Sequence, residues 1–203
     1  AIFAAIFVVA AIAQISVKRF HPALYWTTII STTTVGTTLA DLADRSLGIG
    51  YPGGTLLLFT LLMTSLFIWH RSVGSVSINT VSSPSAEIFY WMTILFSQTL
   101  GTALGDWTAD VPALGYGGSA VMFSVLLALV AAAYYWTRTS RTLLFWAAFI
   151  LTRPLGAVVG DLLDKPVSEG GLALSRYTAS AVLLLFIAVC IIIFPQRAAK
   201  QGH

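Results

Sequence analysis

Seven apolar stretches run through this chain, at residues 1–16, 23–42, 54–70, 88–108, 119–137, 143–162 and 176–194. A helix rises ~1.5 Å per residue, so about 20 residues cross the hydrocarbon of a bilayer. Most of the stretches have that length. Of the 203 residues, 57% are hydrophobic and 9% charged, whereas a soluble domain is about 25% charged. Folded in water, such a chain would leave much apolar surface wet. The expectation is an all-α, polytopic membrane protein, one transmembrane domain over 1–203 with seven transmembrane helices. The lipid bilayer is then its first partner, and no basic run points to nucleic acid. Cys190 is the one cysteine, which excludes an internal disulfide and a cysteine-based metal site.

The charges are sorted between the two ends of these stretches. Lys18, Arg19, Arg71, Arg138, Arg141, Arg197 and Lys200 fall at one face, and Arg45, Lys165 and Arg176 at the other. Asp41, Asp44, Asp106, Asp110, Asp161, Asp164 and Glu169 gather at that second face, leaving Glu87 at the first. The excess of Lys and Arg in short loops marks the cytoplasmic side, so the C-terminus is expected inside.

A repeat underlies this sorting. Trp26, Trp91 and Trp146 are each followed ten residues later by Gly36, Gly101 and Gly156, and five residues further by Asp41, Asp106 and Asp161. A second acid comes within a turn, at Asp44, Asp110 and Asp164, and then a glycine-rich turn: LGIGYPGG at 47–54, LGYGG at 114–118, SEGG at 168–171. Each unit reads as a helical hairpin, with repeats over 23–87, 88–142 and 143–203 and a half repeat over 1–22. Residues 1–16 would be the returning helix of a further hairpin, and the chain starts at Ala1 without a methionine or a basic leader. A fuller product with four hairpins and eight spans is expected.

At 100° per residue, positions 7, 11 and 15 after each Trp share a helix face. They are Thr33, Thr37 and Asp41; Gln98, Thr102 and Asp106; and Arg153, Ala157 and Asp161. Beside this polar stripe runs a ridge of small residues: Gly36 and Ala40, Gly101 and Gly105, Gly156 and Gly160. Small residues four apart let helix backbones approach closely, so the second, fourth and sixth stretches are expected to pack through these ridges and aim their stripes at a shared interior. Carboxylates near helix C-termini, in pairs one turn apart, require compensation by protons, a cation, arginine or hydrogen-bond donors. Threonine and carboxylate oxygens suit hard cations. Asp41, Asp106, Asp161, Thr37, Thr102 and Gln98 are therefore candidate metal ligands.

Arg153 stands inside an apolar stretch and is followed by Pro154. A lone intramembrane arginine is costly, and its expected partner is Asp41 or Asp106. Arg153, Asp44, Asp110 and Asp164 are the candidate gating or charge-pairing residues. Trp26, Trp91, Trp146, Tyr25, Tyr90 and Tyr135 read as an interfacial aromatic belt. His21, His70 and His203 lie at the basic end, away from the acids, which disfavours haem and histidine-based zinc catalysis. An intramembrane aspartyl or serine hydrolase is disfavoured too, because no G-x-G-D motif is present and no base lies near a serine.

The segments STTTVGTTLADLADRSLGIGYPGG, FSQTLGTALGDWTAD and FILTRPLGAVVGD resemble a family of bacterial inner-membrane proteins labelled "membrane-anchored protein". The resemblance covers essentially the whole chain. It implies four hairpins, the first carrying a Gly-Glu and Gly-Asp form of the motif, placement in the bacterial inner membrane, and no settled activity. The motif is also similar, over a short length, to the Glu-x-Gly-Asp repeats of some manganese and calcium transporters.

Polar sites at the interfaces between internal repeats are common in secondary transporters. The expected function is transport or export of a small cation, a divalent metal such as manganese being the leading candidate, with proton coupling an option. The alternative is a non-transporting scaffold or subunit of a larger complex. Assembly as a homo-oligomer is left open. The orientation is testable by cysteine labelling in a Cys190-free background. A membrane-impermeant reagent applied from outside should react with Ser168→Cys and miss Ser75→Cys, and the reverse pattern overturns the topology.

Overall fold

The computed structural model describes residues 2–17, 21–46, 48–78, 81 and 83–193, without the side chains of 3, 22, 44, 45 and 191. Among these residues there is no strand. Seven α-helices follow in order: α1 (Ile2–Ser16), α2 (Pro22–Asp41), α3 (Gly50–Val73), α4 (Pro84–Ala109), α5 (Gly115–Trp136), α6 (Arg141–Asp164) and α7 (Arg176–Ile193). A π-helical turn, Leu42–Ser46, prolongs α2, and a 3-10 turn, Val167–Glu169, follows α6.

The helix ends have local causes. Ser83 caps α4 by accepting from the Ala86 N–H at 3.3 Å, with Pro84 in the first turn, where its missing N–H is not needed. Ser140 caps α6 from the Leu143 N–H at 3.5 Å. At the end of α3, Gly74 takes φ 81° and its N–H bonds the His70 carbonyl at 2.8 Å. The glycine-rich segments at 47–54 and 114–118, expected as turns, are turns only in their first residues. α3 and α5 already begin at Gly50 and Gly115, whose φ values of 66° and 57° make the sharp entry. The glycines that follow simply continue the helix.

α3, α5 and α6 are each long and apolar enough to cross a membrane. Leu56, Phe67, Val121, Leu129 and Leu184 are among many large apolar side chains exposed on the outer faces. The interior is mixed. Ala40, Ala43, Leu58, Leu62, Leu100 and Ala103 form one buried apolar cluster, while Thr28, Ser31, Thr32, Thr93, Ser97 and Thr99 are buried as well. Their hydroxyls are mostly spent locally. Thr28 donates to the Leu24 carbonyl and Thr99 to the Leu95 carbonyl, both at 2.8 Å, as suits helices with no water at hand. Ser65 and Thr93 instead hydrogen-bond across α3 and α4 at 2.9 Å.

α4 is the central helix, packed on α2, α3 and α6. Its contacts obey one rule. A Cβ built on Gly36 would lie 3.0 Å from the Gln98 Cβ and 3.1 Å from the Thr99 nitrogen. One on Gly101 would collide with the Cβ and backbone of Arg153, and one on Gly105 would lie 3.0 Å from the Ala157 Cβ. Gly36 and Gly101 occupy the same repeat position, as do Gln98 and Arg153. The ridge of each helix therefore presses on the stripe of the next. Because 101 meets 153 and 105 meets 157, α4 and α6 run parallel.

This rule corrects the expectation that all three ridges pack. Gly156 and Gly160 meet nothing within 4 Å, because among the described residues no stripe packs on the α6 ridge. A thermal-unfolding comparison in detergent follows. Gly101→Ala should destabilise by about 1–3 kcal/mol through overpacking. Gly156→Ala and Gly160→Ala should be neutral or stabilise by up to about 1 kcal/mol, since alanine is the better helix former.

Candidate functional site

The stripe and the ridge of one helix lie about 80° apart at 100° per residue. A helix that presses its ridge on one neighbour therefore offers its stripe to the other. On α4 the stripe is covered by α2, and on α6 by α4. Among the described residues no ridge packs on the α2 stripe, and Thr33 and Thr37 are exposed. Gln98 is buried, while Thr102, Asp106, Ala157 and Asp161 are half-buried, as is Asp41. Two polar seams, α2–α4 and α4–α6, replace the single shared interior expected. Thr37 donates to the Thr33 carbonyl at 3.2 Å and Thr102 to the Gln98 carbonyl at 3.4 Å. A threonine that donates into its own helix keeps oxygen lone pairs available for a cation.

Among the described residues, no three carboxylate, imidazole or thiol groups lie close enough to hold a metal ion. Asp41, Asp106 and Asp161 are thus not gathered into one three-carboxylate centre. The reason is the packing rule: successive helices meet ridge to stripe, which separates equivalent residues by a full helix contact. The carboxylates instead edge the acidic end. Tyr116, in the first turn of α5, lies within electrostatic reach of Asp106, Asp161, Glu169 and Lys165. Asp110 is exposed. Asp164 pairs with Arg176 at 3.4 Å, across from α6 to the start of α7. The Asp44 side chain lies outside the described residues.

Arg153 stacks on a ring of its own helix. Its guanidinium carbon lies 4.7 Å from the centre of the Phe149 ring, and its Nε is buried without a hydrogen-bond partner. Helical side chains lean toward the helix N-terminus. Arg153 therefore reaches back one turn toward the basic end, whereas the aspartates lie toward the C-terminal end. Asp161 is eight residues onward, ~12 Å along the axis. Residue spacing made the pairing with Asp41 or Asp106 attractive; the side chain is instead turned toward Phe149.

Behind Arg153 the bundle is closed by rings. Trp91 and Trp146 are buried rather than interfacial, and Trp69, not singled out from sequence, is fully buried beside Trp146 and Tyr90 with ring centres 5.8 and 6.4 Å away. Tyr25 lies 5.9 Å from Trp91, and its hydroxyl is 3.5 Å from that of Tyr90. Trp146 donates to the Val76 carbonyl at 2.9 Å, tying in the loop between α3 and α4. Trp26, Tyr135 and Trp136 are exposed, as belt residues are. The repeat marks all three tryptophans alike, yet the structure exposes Trp26 and buries Trp91 and Trp146.

Ser97 is the other group that sequence reasoning passed over. It is fully buried, and its hydroxyl, like the Gln98 Nε2, has no hydrogen-bond partner. The available signal was its place one turn before Gly101 in an apolar helix.

Since Arg153 stacks on Phe149 instead of meeting a repeat aspartate, a stability cycle over Arg153→Ala and Asp106→Asn should be additive within about 0.5 kcal/mol. A coupling of several kcal/mol, the size typical of a broken buried pair, would restore the ion pair.

The family model described as Repeat of Unknown Function (DUF347) matches the chain three times, at residues 24–75, 89–140 and 144–196. No curated protein and no solved structure matches it.

Proposed function

Given that the chain belongs to the Repeat of Unknown Function (DUF347) family, whose description assigns no activity, we propose from its polar seams that it is a polytopic membrane transporter of a small cation. A divalent ion such as manganese is the favoured substrate, and proton exchange at the carboxylates the favoured coupling. In this reading it sits in the bacterial inner membrane with its basic end and C-terminus in the cytoplasm, as its family resemblance and its Lys and Arg distribution suggest.

One observation carries the reading. Inside a bundle with apolar outer faces, the α2–α4 and α4–α6 seams hold polar atoms that no neighbour satisfies, those of Ser97, Gln98 and Arg153. A bundle built for stability alone leaves few such groups. The seams lead toward the half-buried carboxylates of Asp106 and Asp161 at one end and toward the aromatic layer at the other. The acidic end serves as the entry that concentrates cations. Threonine oxygens and single carboxylates bind weakly and in sequence, which favours release over retention. The Trp69, Tyr90, Trp91 and Trp146 layer is the barrier that must rearrange to open the basic end.

A second reading, a non-transporting subunit, draws on the exposed ridge at Gly156 on α6. Ridges of this kind make the internal helix contacts, so this one is suited to a further helix. Transport separates the two readings. Proteoliposomes containing the chain and a manganese-sensitive dye should accumulate manganese, and Asp106→Asn should lower the initial rate at least about tenfold, the equivalent of ~1.4 kcal/mol in the barrier. Uptake no faster than in protein-free vesicles leaves the subunit reading standing and removes transport.

A further inference from the structure

Position for position the ridges of α2, α4 and α6 are alike, yet two are covered and one is bare. Thr32 and Gly36 on α2, and Ser97 and Gly101 on α4, are buried. Their equivalents on α6, Thr152 and Gly156, are exposed. Gly156 and Gly160 stand four apart, the spacing through which membrane helices approach closely, and a Cβ added to either meets nothing within 4 Å. The Thr152 hydroxyl donates to the Phe149 carbonyl of its own helix at 2.9 Å, so this face needs no water.

The two internal seams show what covers a ridge. Counted from the tryptophan of each repeat, position 10 rests on position 7 of the next helix, as Gly36 on Gln98 and Gly101 on Arg153. Position 14 rests on position 11, as Gly105 on Ala157. A ridge meets a stripe. Among the described residues α2 alone has its stripe still open, at Thr33 and Thr37. These side chains are short, and their hydroxyls already donate to the Ile29 and Thr33 carbonyls at 3.0 and 3.2 Å. Burying them in a dry helix contact therefore leaves no donor unpaired. Their direction fits as well. Both α2 and α6 run from the basic end to the acidic end, so copies inserted the same way present the two faces in parallel.

We propose that the α6 ridge of one copy packs on the α2 stripe of a second copy, with Gly156 against the second copy's Thr33 and Gly160 against its Thr37. The two faces are unlike, so the contact is head-to-tail. Between copies it adds a third seam of the kind found at α2–α4 and α4–α6. The contact does not depend on transport.

The test is cross-linking of the full chain in its membrane, in a Cys190→Ala background. Two differently tagged copies are co-expressed, one with Thr152→Cys on the ridge and one with Thr33→Cys on the stripe, both exposed positions. A short thiol–thiol reagent should join the two, and neither cysteine should join its own kind. Adding Gly156→Leu to the Thr152→Cys copy should cut the mixed product about tenfold, because the contact is overpacked. In the single chain that leucine projects into open space, so folding should survive. Should it not, Thr37→Trp in the other copy blocks the same contact from the opposite face. Self-joining of Thr152→Cys alone would mean ridge on ridge, and its joining to a different protein would mean another subunit; either result overturns the proposal. So does a mixed product that survives both bulky variants, or no product at all. Cross-linking by a chain that moves no manganese removes the transport reading and leaves this contact in place, and manganese uptake without cross-linking does the reverse.

Discussion

The close approach of backbones at glycine is the contact on which the rest of this bundle depends. Lipid tails are as apolar as leucine, so apolar burial gives helices little reason to associate in a membrane, and packing and interhelical hydrogen bonds must do it. At Gly101 the Arg153 backbone and Cβ come so near that even a methyl group collides. Gly36 and Gly105 repeat the approach against Gln98 and Ala157. Those three contacts set the depth of α2, α4 and α6 relative to one another. They fix which polar residue faces which seam.

The same rule has a direction, because ridge meets stripe and never ridge meets ridge. A heterologous contact of this kind has two unlike ends. Here they are the exposed stripe of Thr33 and Thr37 on α2 and the open ridge of Gly156 and Gly160 on α6. Three copies of one motif thereby acquire three environments. Thr33, Gln98 and Arg153 hold equivalent repeat positions, yet one is exposed, one buried under Gly36, and one pressed on Gly101 and stacked on Phe149. Divergence of the side chains follows divergence of the surroundings.

Charge and aromaticity are then sorted along the seams. Carboxylates at the acidic end are half-buried and spread over several helices. The interior carries an arginine turned away from them, and the basic end is filled by rings. The helix offset keeps Asp41, Asp106 and Asp161 from forming a three-carboxylate cluster among the described residues.

Much of this was legible in the residues. The apolar stretches fix an all-helical chain, and the Trp–Gly–Asp spacing fixes the repeat, the helix directions and the face each side chain occupies, because helix periodicity is a local property of the backbone. What only the tertiary structure decided is which face meets which neighbour. The spacing made Arg153 and the aspartates look like partners, but a parallel arrangement with side chains leaning to the N-terminus sends Arg153 to Phe149. Equal glycines became tight contacts at Gly36, Gly101 and Gly105 and open surface at Gly156. Equal tryptophans became core at Trp91 and Trp146 and surface at Trp26. Contact order around the bundle is long-range information, and a motif repeated identically along the chain has no way to encode its own position in that order.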